Sequence, residues 1–264
     1  MKEPITEKTE LQQLILDIPE LDHIEIPKTG ENRPVKSFVL RGQRLRPSQF
    51  EALRKYFYKD CLTWKNDYLD FDKIFPSSAP VVIEIGFGMG DSTIKIAKEN
   101  PNINYIAFEV FLYGFSKTLK KIEEEKLTNI KLMRFNAVEA IENMIGDDSI
   151  SGFHIFFPDP WQKKRQNKRR LINDEFVKLL VKKLKNTGYI YTVTDWEDYA
   201  KQMKQVLSSN SNLNNPFIDE KEVKISWRPT TGFEKKGLSK NHEIYEFWYE
   251  KKTTMEQSSE AFQE

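Results

Sequence analysis

From residue 81 onward, short apolar runs alternate with longer amphipathic segments. Seven runs rich in β-branched and aromatic residues predict strands: Val81–Ile85, Asn104–Val110, Ile130–Phe135, Gly152–Phe157, Gly188–Thr194, Val223–Trp227 and Ile244–Tyr249. Segments with a period near 3.6 residues predict helices between them: Ser92–Glu99, Ser116–Lys126, Val138–Met144, Asp174–Lys185 and Tyr199–Leu207. This alternation predicts an α/β fold with a doubly wound, mostly parallel seven-stranded sheet covered on both faces.

The segments outside this region have different patterns. Residues 1–32 are acidic and show no sustained period, which predicts a mobile arm. Residues 33–76 are basic and include a helix-like stretch at 48–58, so we expect an N-terminal extension there. The alternating region, 77–251, is expected to form the main domain, and the polar residues 252–264 a disordered tail.

Length and composition exclude several classes of protein. With 264 residues, of which 39% are hydrophobic and 31% charged, the chain can bury a full core. The single cysteine, Cys61, excludes an intrachain disulfide, and three scattered histidines predict no metal site. No apolar segment has the length of a signal peptide or membrane span, so we expect a cytoplasmic protein with no membrane partner.

The net charge of +1 conceals an uneven distribution. Residues 1–30 contain seven acids and three bases, whereas residues 33–55 contain seven bases and one acid. A second basic run has six cations within eight residues: Lys163, Lys164, Arg165, Lys168, Arg169 and Arg170. One charged run is usually a solvated face, but two such runs in a near-neutral chain predict a surface that binds phosphates.

The first candidate motif, Glu84-Ile85-Gly86-Phe87-Gly88-Met89-Gly90, ends the first predicted strand. Ligands of doubly wound sheets lie beyond the strand ends, where glycines let the backbone come close. Glu109 ends the second strand, where it can bind ribose hydroxyls, and Asn136 follows the third, beside an adenine edge. Together they predict an S-adenosylmethionine site formed by Glu84, Gly86, Gly88, Gly90, Glu109 and Asn136. A tight strand–helix turn is the alternative.

The second motif, Phe157-Pro158-Asp159-Pro160-Trp161, ends the fourth predicted strand. Prolines fix φ and preorganise such a segment. In a methyltransferase sheet this position faces the transferring methyl group, so Asp159 is the predicted catalytic residue and Lys163 a predicted substrate contact. An acid beside a basic run would also suit a nuclease, but the cofactor motif on the same sheet favours methyl transfer.

Two further segments are expected at the same edge. Asp195 follows the fifth strand in Thr194-Asp195-Trp196 and projects into the crevice, although a helix cap is an alternative. The loop before the last strand has the sequence Arg-Pro-Thr-Thr-Gly-Phe-Glu. Its Thr231, Gly232, Phe233 and Glu234 are predicted to bind a base edge through backbone and side chains.

Assembled, these motifs resemble the tRNA (guanine-N7-)-methyltransferase family of bacteria over about residues 33–250. The chain departs from the family at Phe111, where histidine is common, and at Gln162, where proline is common. The resemblance implies a class I S-adenosylmethionine-dependent methyltransferase fold, which is Rossmann-like. It also implies methyl transfer from S-adenosylmethionine to N7 of a guanosine in the tRNA variable loop.

The resemblance further implies tRNA as partner, a monomer or homodimer, and contact between Asp159 and the cofactor. Phosphate contacts are then expected from the basic residues Arg41, Arg44, Arg46, Lys164, Arg165, Lys168, Arg169 and Arg170. Two alternatives stay open. One is a methyltransferase acting on an exocyclic nitrogen of ribosomal RNA, DNA or protein, whose sites prefer Asn/Asp-Pro-Pro-Tyr. The other is a non-catalytic RNA-binding module.

Overall fold

The structure is a computed structural model that describes residues 7–25, 36–39, 44–217, 223, 225–239 and 241–253. The predicted phosphate contact Arg41 and most of the predicted tail lie outside the described residues. A seven-stranded sheet forms the centre of the molecule. Its strands are β1 (Val81–Ile85), β2 (Asn104–Phe108), β3 (Ile130–Met133), β4 (Ile150–Phe156), β5 (Leu184–Thr194), β6 (Leu213–Asn214) and β7 (Tyr245–Lys251).

The strands lie in the order β3-β2-β1-β4-β5-β7-β6. The first five are parallel, whereas β7 runs antiparallel to β5 and β6 antiparallel to β7. The predicted mostly parallel, seven-stranded sheet is therefore confirmed. The chain builds outward from β1 to β3 on one side and from β4 on the other, so the strand order reverses between β1 and β4. In such sheets the ligand crevice lies at this switch, beyond the carboxyl ends of the strands.

Helices cover both faces of the sheet. They are α1 (Glu7–Asp17), α2 (Pro47–Asp60), α3 (Phe71–Ile74), α4 (Asp91–Glu99), α5 (Leu112–Glu124), α6 (Ala137–Met144), α7 (Asp174–Lys183), α8 (Glu197–Ser208) and α9 (Gly232–Leu238). Val81 and Ile83 belong to one apolar cluster and Val82 to another. Because successive strand side chains point to opposite faces, there is one core on each side of the sheet.

The region before the last strand differs from the prediction. Val223 is not in a strand, and Ile225–Trp227 leads into a turn closed by a hydrogen bond from Arg228 N to Ile225 O (3.2 Å). The predicted strand Val223–Trp227 is therefore wrong, and the sixth strand is the two-residue β6. The predicted loop around Gly232 is instead α9, because Thr231 and Glu234 form a capping box at its start.

The predicted mobile arm is folded over residues 7–25. It forms α1 and a 3-10 turn (Pro19–Leu21), and Leu14, Ile18 and Leu21 are buried. On α2, Arg54 lies 3.9 Å from a Glu10 carboxylate oxygen and 3.5 Å from one of Asp17. The physical reason is an apolar stripe with helical spacing, which is sufficient to dock the segment despite its acidic composition.

Candidate active site

A glycine-rich loop joins β1 to α4 at the switch in strand order. Gly86 and Gly90 adopt φ values of +80° and +71°, which favour glycine. A Cβ atom on Gly90 would lie 1.9 Å from Thr118 Oγ1, so this glycine lets α5 pack closely. A Cβ atom on Gly86 would meet no atom within 4 Å. The loop is therefore closed against the protein at Gly90 and open at Gly86, as a cradle for a ligand requires.

Glu109, just beyond β2, is fixed against this loop by backbone donors. Its Oε2 accepts a hydrogen bond from Gly88 N (2.7 Å), and its Oε1 accepts from Val110 N (2.8 Å) and Phe111 N (2.9 Å). Burial raises the pKa of Glu109, while these three donors oppose that rise. A carboxylate has about four lone-pair positions, so Glu109 retains the capacity to accept about one more hydrogen bond, such as one from a ribose hydroxyl.

Glu84, near the end of β1, is buried and only half satisfied. Thr93 Oγ1 donates to Glu84 Oε1 at 3.0 Å, and Oε2 has no hydrogen-bond partner among the described residues. Burial raises the pKa of Glu84 to about 7. A cationic group placed beside this oxygen would stabilise the ionised carboxylate. The site thus fits the ammonium group of an amino acid such as the methionine part of S-adenosylmethionine.

Asn136 follows the third strand, three residues beyond the end of β3, and it also caps a helix. Its Oδ1 accepts from Val138 N (3.2 Å) at the start of α6, and its backbone N donates to Ile24 O (2.7 Å). The cap uses the side-chain oxygen, so the amide NH2 is the group suited to an adenine acceptor. The contact with Ile24 brings the docked N-terminal segment to the edge of the crevice.

The segment after β4 has an unusual backbone. Phe157 and Trp161, on either side of Pro158-Asp159-Pro160, adopt φ values of +51° and +46°. Bulky residues rarely adopt this conformation, and its occurrence often marks a functional segment. Asp159 is exposed, and its negative charge adds to the effect of burial in raising the pKa of Glu109. The fold therefore brings the predicted catalytic carboxylate close to the predicted cofactor residues.

Trp161 anchors a short N-terminal segment to this loop. Its Nε1 donates to Ser37 O at 3.1 Å. The Arg169 guanidinium lies 3.6 Å from the centre of the Trp161 ring and donates to the carbonyl oxygens of Lys36 (2.7 Å) and Phe38 (3.1 Å). Arg169 thus holds protein backbone, and its predicted phosphate contact would have to coexist with these bonds.

Arg170 is the buried member of this basic run. Its side chain is 2% exposed, and it donates to Pro160 O at 2.8 Å, Gln202 Oε1 at 2.9 Å and Asp198 Oδ2 at 2.6 Å. A guanidinium held in this way would have to leave these partners to contact a phosphate. The RNA contact of Arg170 stays a prediction.

The remaining cations of this run lie outside. Lys163 precedes a 3-10 helix, Lys164–Arg169, in which Lys164, Arg165 and Lys168 are exposed. Within the described part of the chain these four side chains form no ion pair. Arg44 and Arg46, just before α2, are exposed as well. These positions agree with the predicted phosphate-binding surface without testing it.

The four residues predicted to bind a base edge form the first turn of α9 and its cap. Thr231 Oγ1 accepts from Glu234 N at 3.0 Å, and Glu234 Oε2 accepts from Thr231 N at 3.2 Å. Arg228 also donates to both Glu234 oxygens, at 2.6 and 3.1 Å. Both carboxylate oxygens of Glu234 therefore help to hold α9. Its predicted contact with a base would have to use the acceptor capacity that remains.

Arg228 is a residue that the sequence interpretation missed. Besides Glu234 on α9, its guanidinium donates to Glu246 Oε1 on β7 (2.6 Å) and Tyr191 OH on β5 (2.7 Å). The side chain is 5% exposed. The sequence signal for this ion pair was the position of Arg228 in the Arg-Pro-Thr-Thr-Gly-Phe-Glu motif, six residues before Glu234. Arg228 joins α9 to the sheet.

This anchoring places α9 above the glycine loop. The Phe233 ring, 56% exposed, lies 4.0 Å from the position that a Cβ atom on Gly88 would take. Asp195, beyond β5, lies under the other end of α9, where its Oδ2 is 3.1 Å from His242 Nδ1. The structure therefore brings Phe233 and Asp195 to the edge that also contains the glycine loop and Asp159.

Within the described ranges, no three His, Cys, Asp or Glu side chains are grouped so that they could hold a metal ion. In the same ranges, no helix is both long and apolar enough to cross a membrane.

The sequence and fold match known proteins. The model of a family described as "Putative methyltransferase" matches residues 78–247. A tRNA (guanine-N(7)-)-methyltransferase of Chromobacterium violaceum is 43% identical over 220 residues, which cover 83% of this chain and 97% of that protein. The Nitrosospira multiformis protein of the same name is 42% identical over 221 residues, covering 84% and 96%.

Among solved structures, the fold is similar to that of the 16S rRNA methyltransferase KamB. The TM-score is 0.51 at 11% identity, over 73% of this chain and 97% of that one. At this identity the likeness shows the fold alone. The two sequence relatives are much more similar in sequence, and the match covers almost their whole length. The chain belongs to the tRNA (guanine-N(7)-)-methyltransferase family.

Proposed function

We propose that this protein transfers a methyl group from S-adenosylmethionine to N7 of a guanosine in the tRNA variable loop. The observation on which this depends is the position of Asp159, on a constrained Pro-Asp-Pro segment close to Glu109 and the open glycine loop. The names of the relatives support the reaction and the tRNA substrate. The variable loop as the target is supported by the motif resemblance.

The residues at the strand ends would hold the cofactor, which supplies an electrophilic methyl group when it is bound. Glu84 would neutralise its ammonium group through the carboxylate oxygen that has no partner among the described residues. Glu109 would accept a hydrogen bond from the ribose, and Asn136 would contact the adenine. Gly86 would allow close approach, because the space above it is open.

Guanine N7 has an in-plane lone pair and no proton, so the reaction needs no general base. The protein must instead align the base with the methyl group and stabilise the positive charge that the ring acquires. An ionised Asp159 can do both, since it can accept hydrogen bonds from guanine N1–H and the exocyclic amine. Asp195, Lys163 and the Thr231–Phe233 turn would form the rest of the base pocket.

The exposed cations would bind the tRNA backbone. Lys163, Lys164, Arg165 and Lys168 form one group, and Arg44 and Arg46 form a second. Binding that releases counterions weakens as salt rises, with a slope of about −0.7 to −0.9 per phosphate neutralised. The target guanosine must leave its stack to reach Asp159. A tRNA affinity that does not change between about 50 and about 200 mM salt would contradict the proposed phosphate-binding surface.

A methylation assay with mapping of the product tests the function. Unmodified tRNA should acquire labelled methyl groups at N7 of a variable-loop guanosine, and a transcript with adenosine at that position should not. Methylation of an exocyclic nitrogen, or of ribosomal RNA only, would favour the alternative enzyme. Cofactor binding without any transfer would favour a non-catalytic module. Light scattering would decide between the expected monomer and homodimer.

Replacement of Asp159 tests its role. Asp159→Ala should reduce transfer by about 10² to 10³-fold, the range found when one charge-stabilising group is removed. Calorimetry should show that S-adenosylmethionine still binds. Asp159→Asn separates two mechanisms, because it keeps the shape and one acceptor but loses the charge. A loss equal to that of the alanine variant indicates electrostatic stabilisation, and a smaller loss indicates positioning. Unchanged turnover in both variants would refute the assignment.

A further inference from the structure

We propose that Arg170 is a positioning residue that holds the Asp159 segment in its active conformation, and that it is not an RNA-binding cation. The inference rests on the proposed function, in which Asp159 is the catalytic group. It divides the basic run 163–170 into an outer set that faces solvent and an inner residue that supports the loop.

The conformation of the loop needs external support. Phe157 and Trp161 both have positive φ values, which the chain adopts only where the surrounding structure imposes them. The two prolines restrict φ at positions 158 and 160 but do not determine φ at either aromatic residue. The end nearest β4 is held by a backbone hydrogen bond from Phe157 N to Val193 O (2.8 Å). The other end requires a separate anchor.

Arg170 provides an anchor for the backbone there, in addition to the contacts of the Trp161 side chain with Ser37 and Arg169. Its Nε donates to the carbonyl oxygen of Pro160, the residue directly after Asp159, at 2.8 Å. Its two terminal nitrogens donate to Gln202 and Asp198 on α8, at 2.9 and 2.6 Å. The planar guanidinium presents donors on three separate nitrogens at fixed angles, an arrangement that the single nitrogen of an ammonium group cannot reproduce. The Pro160 carbonyl is thereby fixed relative to α8.

A second contact fixes the segment that follows. The Arg170 guanidinium lies 4.9 Å from the centre of the Tyr199 ring on α8. The hydroxyl of the same tyrosine accepts a hydrogen bond from Ile172 N at 2.9 Å. The charge of Asp159 contributes to the raised pKa of Tyr199, although burial is the main cause. Tyr199 therefore lies near both the catalytic carboxylate and the residue proposed to position it.

Two substitutions of Arg170 distinguish positioning from RNA binding. Arg170→Lys keeps the charge but loses the three-way contact, and Arg170→Met loses both. If Arg170 positions the loop, both variants should lower the single-turnover transfer rate at saturating tRNA by about 10²-fold, as a small misplacement of reacting groups can do. The dissociation constants for tRNA and cofactor, and the salt dependence of tRNA binding, should stay as in the wild type.

Lys168→Met is the matched control, because Lys168 is exposed in the same basic run. It should weaken tRNA binding and make the salt slope shallower by about 0.7 to 0.9. If Arg170→Met behaves like this control, and Arg170→Lys restores the affinity, Arg170 is a phosphate contact and the proposal is wrong. If both Arg170 variants have a lower melting temperature but a wild-type rate per folded molecule, the role is only structural and the proposal is also wrong.

Gln202→Leu keeps the proposal testable if the Arg170 variants do not fold. It removes one of the two α8 partners of Arg170 and leaves the arginine in place. The substitution also removes the hydrogen bond from Gln202 Nε2 to Ile172 O (2.9 Å). We expect a loss in transfer rate of about 3 to 10-fold, since Arg170 loses one modest hydrogen bond, at unchanged tRNA affinity. A wild-type rate would overturn the inference. A wild-type enzyme that fails to methylate N7 of tRNA guanosine would refute the proposed function instead, which is a separate outcome.

Discussion

Gly86 and Gly90 belong to one loop, but their substitution by alanine should have different main effects. Gly90→Ala should mainly reduce the stability of the fold, and Gly86→Ala should mainly weaken cofactor binding. Both positions have left-handed φ values, so each substitution carries a conformational cost of about 1 to 2 kcal/mol. At Gly90 the new Cβ would also lie 1.9 Å from Thr118 Oγ1 and 2.8 Å from Thr118 Cβ. Such overpacking adds about 1 to 3 kcal/mol. At Gly86 no atom lies within 4 Å, so the methyl group would occupy only the space proposed for the cofactor.

We therefore expect Gly90→Ala to lower the free energy of unfolding by about 2 to 5 kcal/mol, the sum of the two costs. Gly86→Ala should lower it by only about 1 to 2 kcal/mol while weakening S-adenosylmethionine binding at least as strongly as Gly90→Ala does. Urea unfolding without ligand measures the first quantity, and calorimetry at a temperature where both variants are folded measures the second. Equal destabilisation by the two substitutions, or wild-type cofactor affinity in Gly86→Ala, would refute this interpretation of the loop.

Two other predictions concern buried charges. Arg228→Met should lower the free energy of unfolding by about 3 kcal/mol, because Glu234 and Glu246 lose their shared cation. Backbone hydrogen exchange in α9 should be faster in this variant than in the control Lys236→Met. Equal exchange rates in the two variants would contradict the anchoring role. Burial raises the pKa of Glu84 in the folded protein to about 7, from an ordinary value of 4.5. The stabilisation that results from this shift is therefore fully present below pH 4.5 and is lost as the pH rises through 7. Glu84→Gln should flatten urea-unfolding stability across this window, and an unchanged pH dependence would argue against a raised pKa.

Much of the site could be predicted because its residues lie at strand ends. Strands and their order of occurrence follow from apolar runs, and in a parallel sheet the carboxyl ends meet at one edge. The positions of Glu84, Glu109, Asn136 and Asp159 follow from that rule alone. The capping box at Thr231 and Glu234 was also visible in the sequence, as the spacing Thr-x-x-Glu, but it was interpreted as a base contact.

The functions of individual cations could not be predicted in this way. Lys168 and Arg170 are two positions apart in one basic run, yet one faces solvent and the other is buried against α8. Composition reports the charge of a run and not the direction of each side chain. Likewise, the acidic composition of residues 7–25 obscured the apolar spacing of Leu11, Leu14 and Ile18, which is the signal for α1. The two-residue β6 is too short for any periodicity to reveal.

The docking of the N-terminal segment has a consequence for how the protein folds during synthesis. Ser37 binds Trp161 across 124 residues of sequence, and Lys36 binds Arg169 across 133. When residues 36–38 leave the ribosome, the groups that they contact have not yet been translated. Closing contacts of this separation is entropically costly and slow. Residues 36–38 are synthesised early but are thus among the last to dock. Their contacts beside Asp159 can form only after β4 and the basic run 163–170 have emerged.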